Sequence, residues 1–183
     1  MRHQKKIAQV TRKIVWLRST HQYGHTAIKI QTDERVIYLD PVDLVGIEEL
    51  PKADVILVTH PHPDHLSPET IAALSKESTK VVSIDLTAAS LGDVETFTLT
   101  PGGKVSVNNL EIEGIPAYNA SHTKDSGHLG FAFSIDGVRV YCSGDTSLNP
   151  ELKTLSNIDI AVVNASGTPI ASRERKWSSS PKS

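Results

Sequence analysis

Hydrophobic positions fall in short runs divided by turn-forming residues, the pattern of a β-rich chain with few helices. Lys13–Leu17, Ala27–Gln31 and Val36–Leu39 read as strands, the last two joined by a hairpin turn at Thr32-Asp33-Glu34-Arg35. Asp40-Pro41 closes that unit. Leu50–Ala53 then leads into Val55-Ile56-Leu57-Val58-Thr59, an apolar, β-branched run with no polar alternation, as expected of a strand buried on both faces. Ser67-Pro68-Glu69 carries a helix start, with Ser67 as N-cap and Pro68 in the first turn, and the helix is predicted to run to about Ser75. Lys80–Ile84 is predicted as a strand parallel to Val55–Thr59, because a helix crosses between them.

The second half continues in the same manner. Asp85–Leu91 reads as a short helix closed by Gly92. Glu95–Leu99, Lys104–Val107 and Leu110–Ala117 read as strands separated by turns at Pro101-Gly102-Gly103 and Asn108-Asn109. Leu129–Ile135 and Val138–Cys142 form a predicted hairpin about Asp136-Gly137. Asn149–Leu155 is expected as a short helix and Ile158–Val163 as a last buried strand. A β-α-β unit beside β-meanders predicts the α/β (α+β) class, with sheets packed together and helices outside. Residues 1–170 are expected to form one domain. Residues 171–183 carry Arg173, Arg175, Lys176 and Lys182 with almost no apolar content, and are expected to be a disordered tail.

Composition narrows the partners. With 183 residues, 38% hydrophobic and 22% charged, the chain reads as a soluble globular protein of one domain. Its net charge of −2 supplies no electrostatic footprint for nucleic acid or anionic lipid. A single Cys excludes an internal disulfide and fits a reducing, cytoplasmic setting. No apolar run approaches the roughly 18 residues needed to cross a membrane. Ile14–Leu17 is too short for the core of a signal peptide.

Metal chemistry enters with His60-Pro61-His62-Pro63-Asp64-His65, directly after the buried run. In a chain with eight His, such a match arises by chance on the order of one time in a thousand. Pro61 and Pro63 push His60 and His62 toward extended geometry, so the two imidazoles point the same way and can hold one ion. Neutral imidazole suits zinc or iron, and Asp64 suits a second, harder site. Asp145, in Ser143-Gly144-Asp145-Thr146, reads either as a turn cap or as a carboxylate brought to the same edge. His122 and His128, in a polar loop, are each candidates for a third imidazole. Cys142 reads as a soft ligand or a small core residue.

Together, Thr59–Leu66, Tyr38-Leu39-Asp40-Pro41 and Ser143–Thr146 resemble the metallo-β-lactamase superfamily. The likeness is narrower to its metal-dependent hydrolase branch, including ascorbate-phosphate lactonase-like proteins. It spans roughly Ile14 to Gly167, with Ile115–Asn119 and Gly137–Tyr141 in the family's order. The resemblance implies an αββα sandwich. It assigns His60, His62 and His122 to a first metal, Asp64 and His65 to a second, and Asp145 as the bridge, with His128 in reserve. It places Asp40 behind the ligands, orienting an imidazole. His25 matches a His at the mouth of the site in this branch, or is a hydrogen-bonded residue at a strand end. The family continues with a helix, a strand and a last His; no His follows His128 here, so the fold is expected to be incomplete at its C-terminus.

The expected function is a metal-dependent hydrolase in which a metal-bound hydroxide attacks an ester, lactone, amide or phosphoester, with Asp64 orienting it. The cofactor expected is one or two Zn2+ ions, or Mn2+ or Fe2+. Two alternatives stand beside it: a metal-binding, catalytically weak remnant, and a metal-dependent nuclease. The partner is a small-molecule substrate, with neither nucleic acid nor membrane expected and a homo-oligomer left open. No G-x-S-x-G elbow supports serine hydrolysis.

Overall fold

The unbroken run at 55–59 lies at the centre of a sheet, and its two faces serve two different cores. The computed structural model describes residues 13–16 and 27–164. His25 and the expected tail at 171–183 lie outside the described residues.

Six strands form the first sheet in chain order: β1 (Lys13–Trp16), β2 (Ile28–Gln31), β3 (Val36–Leu39), β4 (Val55–Leu57), β5 (Lys80–Ser83) and β6 (Thr96–Thr98). β1, β2 and β3 pair antiparallel, and β3 to β6 pair parallel. The crossover from β4 to β5 is helix α1 (Pro68–Leu74), which begins as the sequence predicts: the Ser67 side chain accepts from the Thr70 N–H. Ile71 and Leu74 bury against Tyr38, Ile56, Val58 and Val81, on the outer face of the sheet. Val55 and Leu57 face the other way, toward the second sheet.

That second sheet holds β7 (Lys104–Val107), β8 (Leu110–Pro116), β9 (Leu129–Ile135), β10 (Val138–Cys142) and β11 (Ile160–Val162), in the order β11-β10-β9-β8-β7. All pairs are antiparallel except β10–β11, which is parallel. Leu110, Ile112, Phe131, Phe133 and Val140 fill the space between the sheets, with Cys142 among them. Cys142 is therefore a core residue, and burial pushes its thiol pKa up to about 12.

Four expectations change. Glu95–Leu99 supplies β6, the parallel edge of the first sheet, so the Pro101-Gly102-Gly103 turn carries the chain from one sheet to the other instead of closing a hairpin. Leu99, at the end of this segment, is buried in the core between the sheets. Asp85–Leu91 forms a shorter helix, α2 (Asp85–Ala88), with Gly92 at φ 61° beyond it. Asn149–Leu155 makes a single 3-10 turn, Glu151–Thr154, whose start is capped by the Asn149 side chain accepting from Leu152 N–H. β11 is an edge strand with Ile160 at 37% exposure, not the buried strand expected, because among the described residues it pairs on one side only. The outer face of the second sheet (Ile115, Ala132, Tyr141) is met by Leu152, Leu155 and Ile158 around the 3-10 turn. Among the described residues, α1 packs on the outer face of the first sheet, and the 3-10 turn packs on that of the second.

Candidate metal centre

One edge of the sandwich collects the chemistry, because strands of like direction end there. β3 leads to Asp40, β4 runs on through Val58 and Thr59 to His60, β8 leads to Asn119 and His122, β10 to Asp145, and β11 to Asn164. β9 begins at the same edge, just after His128. The two sheets are stitched here by Leu129 N–H donating to Thr59 O at 3.1 Å. Gly144 approaches the same point: at φ 56°, an added Cβ would stand 2.6 Å from Leu129 O and 3.1 Å from Thr59 Cγ2. Only glycine allows the Asp145 loop to come this close.

The imidazoles cluster tightly. The His60 ring centroid lies 4.6 Å from His62, 4.0 Å from His65, 5.4 Å from His122 and 4.6 Å from His128. Among the described residues, two groups offer ligand atoms within 4.8 Å of one another: His60, His62 and His122, and His60, His65 and Asp145. His60 belongs to both. Asp64, expected to share an ion with His65, keeps its Oδ2 3.7 Å from His65 Nε2 on a side chain 41% exposed, at the mouth. His128 stands outside both groups and stacks on His60 with an interplanar angle of 22°.

Hydrogen bonds behind the rings determine which nitrogens face inward. Asp40 is 1% exposed; its Oδ1 accepts from Thr59 N–H, and its Oδ2 from Thr59 Oγ1–H and from His65 Nδ1–H, each at 2.8 Å. The Thr59 hydroxyl, having donated to Asp40, accepts from His60 Nδ1–H at 2.9 Å. Both buried imidazoles therefore carry their proton on Nδ1 and turn Nε2 to the centre. His60 Nε2 and His65 Nε2 are buried there without a hydrogen-bond partner. Two such atoms beside carboxylates are what a cation needs, so the donor set fits a metal.

The charges agree with that fit. Burial, reinforced by His65 and His128, holds the His60 pKa far below its ordinary value. Burial also opposes charge on His65, but Asp40 and Asp145 outweigh it and raise its pKa to about 10. His65 Nε2 lies 3.5 Å from Asp145 Oδ1. Asp145 resists burial through His65 and through Asn164, whose Nδ2 donates to Oδ1 at 2.6 Å, and its carboxyl stays well below the usual range. His122 is lowered by burial and then by His62, and His128 falls to about 4, chiefly by burial.

Three contributors escape a reading of the sequence. Thr59 and Asn119 fall in stretches that carry the family resemblance but are given no role there, and Asn164 carries no signal. Each acts through a hydrogen bond to a distant residue.

Comparison with known proteins locates relatives of this arrangement. Residues 20–178 match the model of the beta-lactamase superfamily domain. A metal-dependent hydrolase of Archaeoglobus fulgidus is 30% identical over 162 residues, 80% of this chain and 66% of the relative. One of Geobacillus thermodenitrificans is 30% identical over 158 residues, 76% and 69% of the two chains. A crystal structure from Parabacteroides distasonis, described as a metal-dependent hydrolase, superposes with a TM-score of 0.66 at 35% identity, covering 74% of this chain and 64% of that one. The chain thus spans about two thirds of the length of these relatives.

Proposed function

This chain belongs to the metallo-β-lactamase superfamily, in its metal-dependent hydrolase branch, and from that membership we propose that it hydrolyses a small-molecule ester, lactone, amide or phosphoester with the help of a bound divalent metal. The observation that carries the reading is the convergence of the buried Nε2 atoms of His60 and His65 with the Asp145 carboxylate, His65 Nε2 lying 3.5 Å from Asp145 Oδ1.

His60, His62 and His122 would hold one ion; a set of neutral imidazoles suits zinc best, with Mn2+ or Fe2+ as the other fits. His65 and Asp145, with Asp64 at their side, form a second, more oxygen-rich position suited to a harder ion. When bound, a divalent cation polarises a substrate oxygen and brings the pKa of a coordinated water to near 7. The chain's own residues do the rest. Asp40 and Thr59 fix the imidazole tautomers, Asp145 supplies a carboxylate that stays ionised, and Asp64 at the mouth takes up the proton released during hydrolysis. His128, stacked on His60, lines the wall against which the substrate lies. The cytoplasmic setting rests on the single, buried Cys142 and on composition. Among the described residues, no helix is long and apolar enough to cross a membrane.

Elemental analysis of the purified chain, paired with a panel of chromogenic esters, lactones and phosphodiesters, tests this. At least one ion per chain and hydrolysis that a chelator abolishes are expected, with loss of turnover in His62→Ala and Asp145→Ala. A chain that holds no metal, or whose hydrolysis survives both substitutions, would refute it.

A further inference from the structure

His122 and Asp145 follow different strands, and Asn119 stands between the two loops that carry them. It lies on the loop after β8, and its Oδ1 accepts from Ser121 N–H at 2.7 Å and His122 N–H at 2.9 Å. Its own N–H donates to His122 O at 2.8 Å, so the turn that presents His122 is closed on both sides by one residue. With Oδ1 committed to two N–H donors, the amide has a single orientation, and Nδ2 is the end turned toward Asp145. Nδ2 donates to Asp145 O at 3.2 Å and stands 3.3 Å from His122 Nδ1. A single amide thus spans two loops that bring candidate ligands from the two different groups.

We infer that Asn119 is a positioning residue that sets the spacing of His122 and Asp145, and through it the geometry at the metal; this rests on the metal-dependent reading above. The fold does not depend on it. The same two loops are tied independently through Tyr118: its N–H donates to Thr146 Oγ1 at 3.2 Å, and its carbonyl accepts from Ser147 N–H at 2.9 Å. Losing the amide leaves the loops adjacent and releases only their precise offset, which a first coordination sphere feels most.

Two substitutions separate the two ends of the amide. Asn119→Asp keeps an acceptor for the turn and removes the Nδ2 donor, whereas Asn119→Ala removes both. Wild type and both variants are loaded with Co2+, their visible d–d spectra recorded, their affinities measured against a chromophoric chelator, and their melting followed by circular dichroism. Both variants are expected to fold, with Asn119→Asp melting nearer wild type. Both should show an altered cobalt spectrum and an affinity lowered about tenfold or more. A wild-type spectrum and affinity in Asn119→Asp would overturn the inference, as would loss of the folded state in both variants, which makes Asn119 merely structural. Wild-type protein that takes up no cobalt overturns the metal reading itself, and the inference with it.

Discussion

Thr59→Val is the sharpest perturbation the centre offers. Valine keeps the β-branched shape and removes the hydroxyl, so the change acts on hydrogen bonding and little on packing. That hydroxyl joins Asp40 Oδ2 to His60 Nδ1, with Asp40 1% and His60 0% exposed, so water cannot replace it. Asp40 keeps Thr59 N–H and His65 Nδ1–H but loses a bond to a charged group, worth about 1.5–3 kcal/mol. His60 Nδ1–H is left unpaired at a cost of about 1–3 kcal/mol. The ring can escape only by moving its proton to Nε2, and that blocks the atom meant for the metal. The two losses overlap, so the metal-free chain should lose about 2–4 kcal/mol and melt about 5–15 °C lower. Metal affinity should fall by about 10–100-fold. Thermal melts of the metal-free chain and a competition titration against a chromophoric chelator read the two effects. Thr59→Ser, which restores the hydroxyl, should recover most of the affinity. If Thr59→Val melts within about one degree of wild type and binds metal within about twofold, Thr59 does not orient His60 and the argument from tautomers fails.

Other consequences are as direct. His65 keeps its proton to about pH 10 in the metal-free chain, so metal uptake at pH 7 should release about one proton and strengthen about tenfold per pH unit; calorimetry in buffers of different ionisation enthalpy checks this, and uptake with no proton released contradicts it. The same proton stabilises the metal-free fold fully below about pH 6.5, and its contribution disappears as pH rises through about 10. Gly144→Ala should cost more than about 2 kcal/mol in denaturant unfolding and weaken metal binding, since φ is 56° and Leu129 O lies 2.6 Å from the new Cβ; Gly137→Ala, at φ 73° in open space, should cost about 1 kcal/mol, and equal losses would refute the steric account. Cys142 should resist thiol reagents in the native chain and react only on unfolding, because it is fully buried with its pKa near 12; rapid native labelling would contradict the packing.

The elements legible in advance were those whose cause is local. Ser67 and Pro68 start α1 by chemistry within one turn, the Asp136-Gly137 pair turns the β9–β10 hairpin with φ of 49° and 73°, and the run at 55–59 declares its burial by composition. The pairing of His60 with His62 belongs with them, because alternate positions on an extended segment share a direction. Sheet membership was not legible: nothing near Glu95–Leu99 says that it joins β5 in parallel while Lys104–Val107 crosses to the other sheet. Leu99, just after β6, is buried in the core between the sheets, a placement that only the folded chain reveals.

The same division runs through the metal centre. Residue types and spacing by themselves pointed to imidazoles and a carboxylate gathered after a buried strand; the family resemblance, not the spacing, put Asp40 behind them and chose Asp145 over a turn cap. Only the tertiary structure decided that His60 stands in both candidate ligand groups, that Asp64 stays partly exposed beside His65, and that Thr59 bonds to Asp40 while Asn119 and Asn164 bond to Asp145. The long-range bonds among these, from Thr59 to Asp40 and from Asn119 and Asn164 to Asp145, span 19 to 26 positions of sequence. A hydrogen bond between distant residues leaves no periodicity or spacing in the chain, and it comes into being only when two sheets bring the strand ends to one edge.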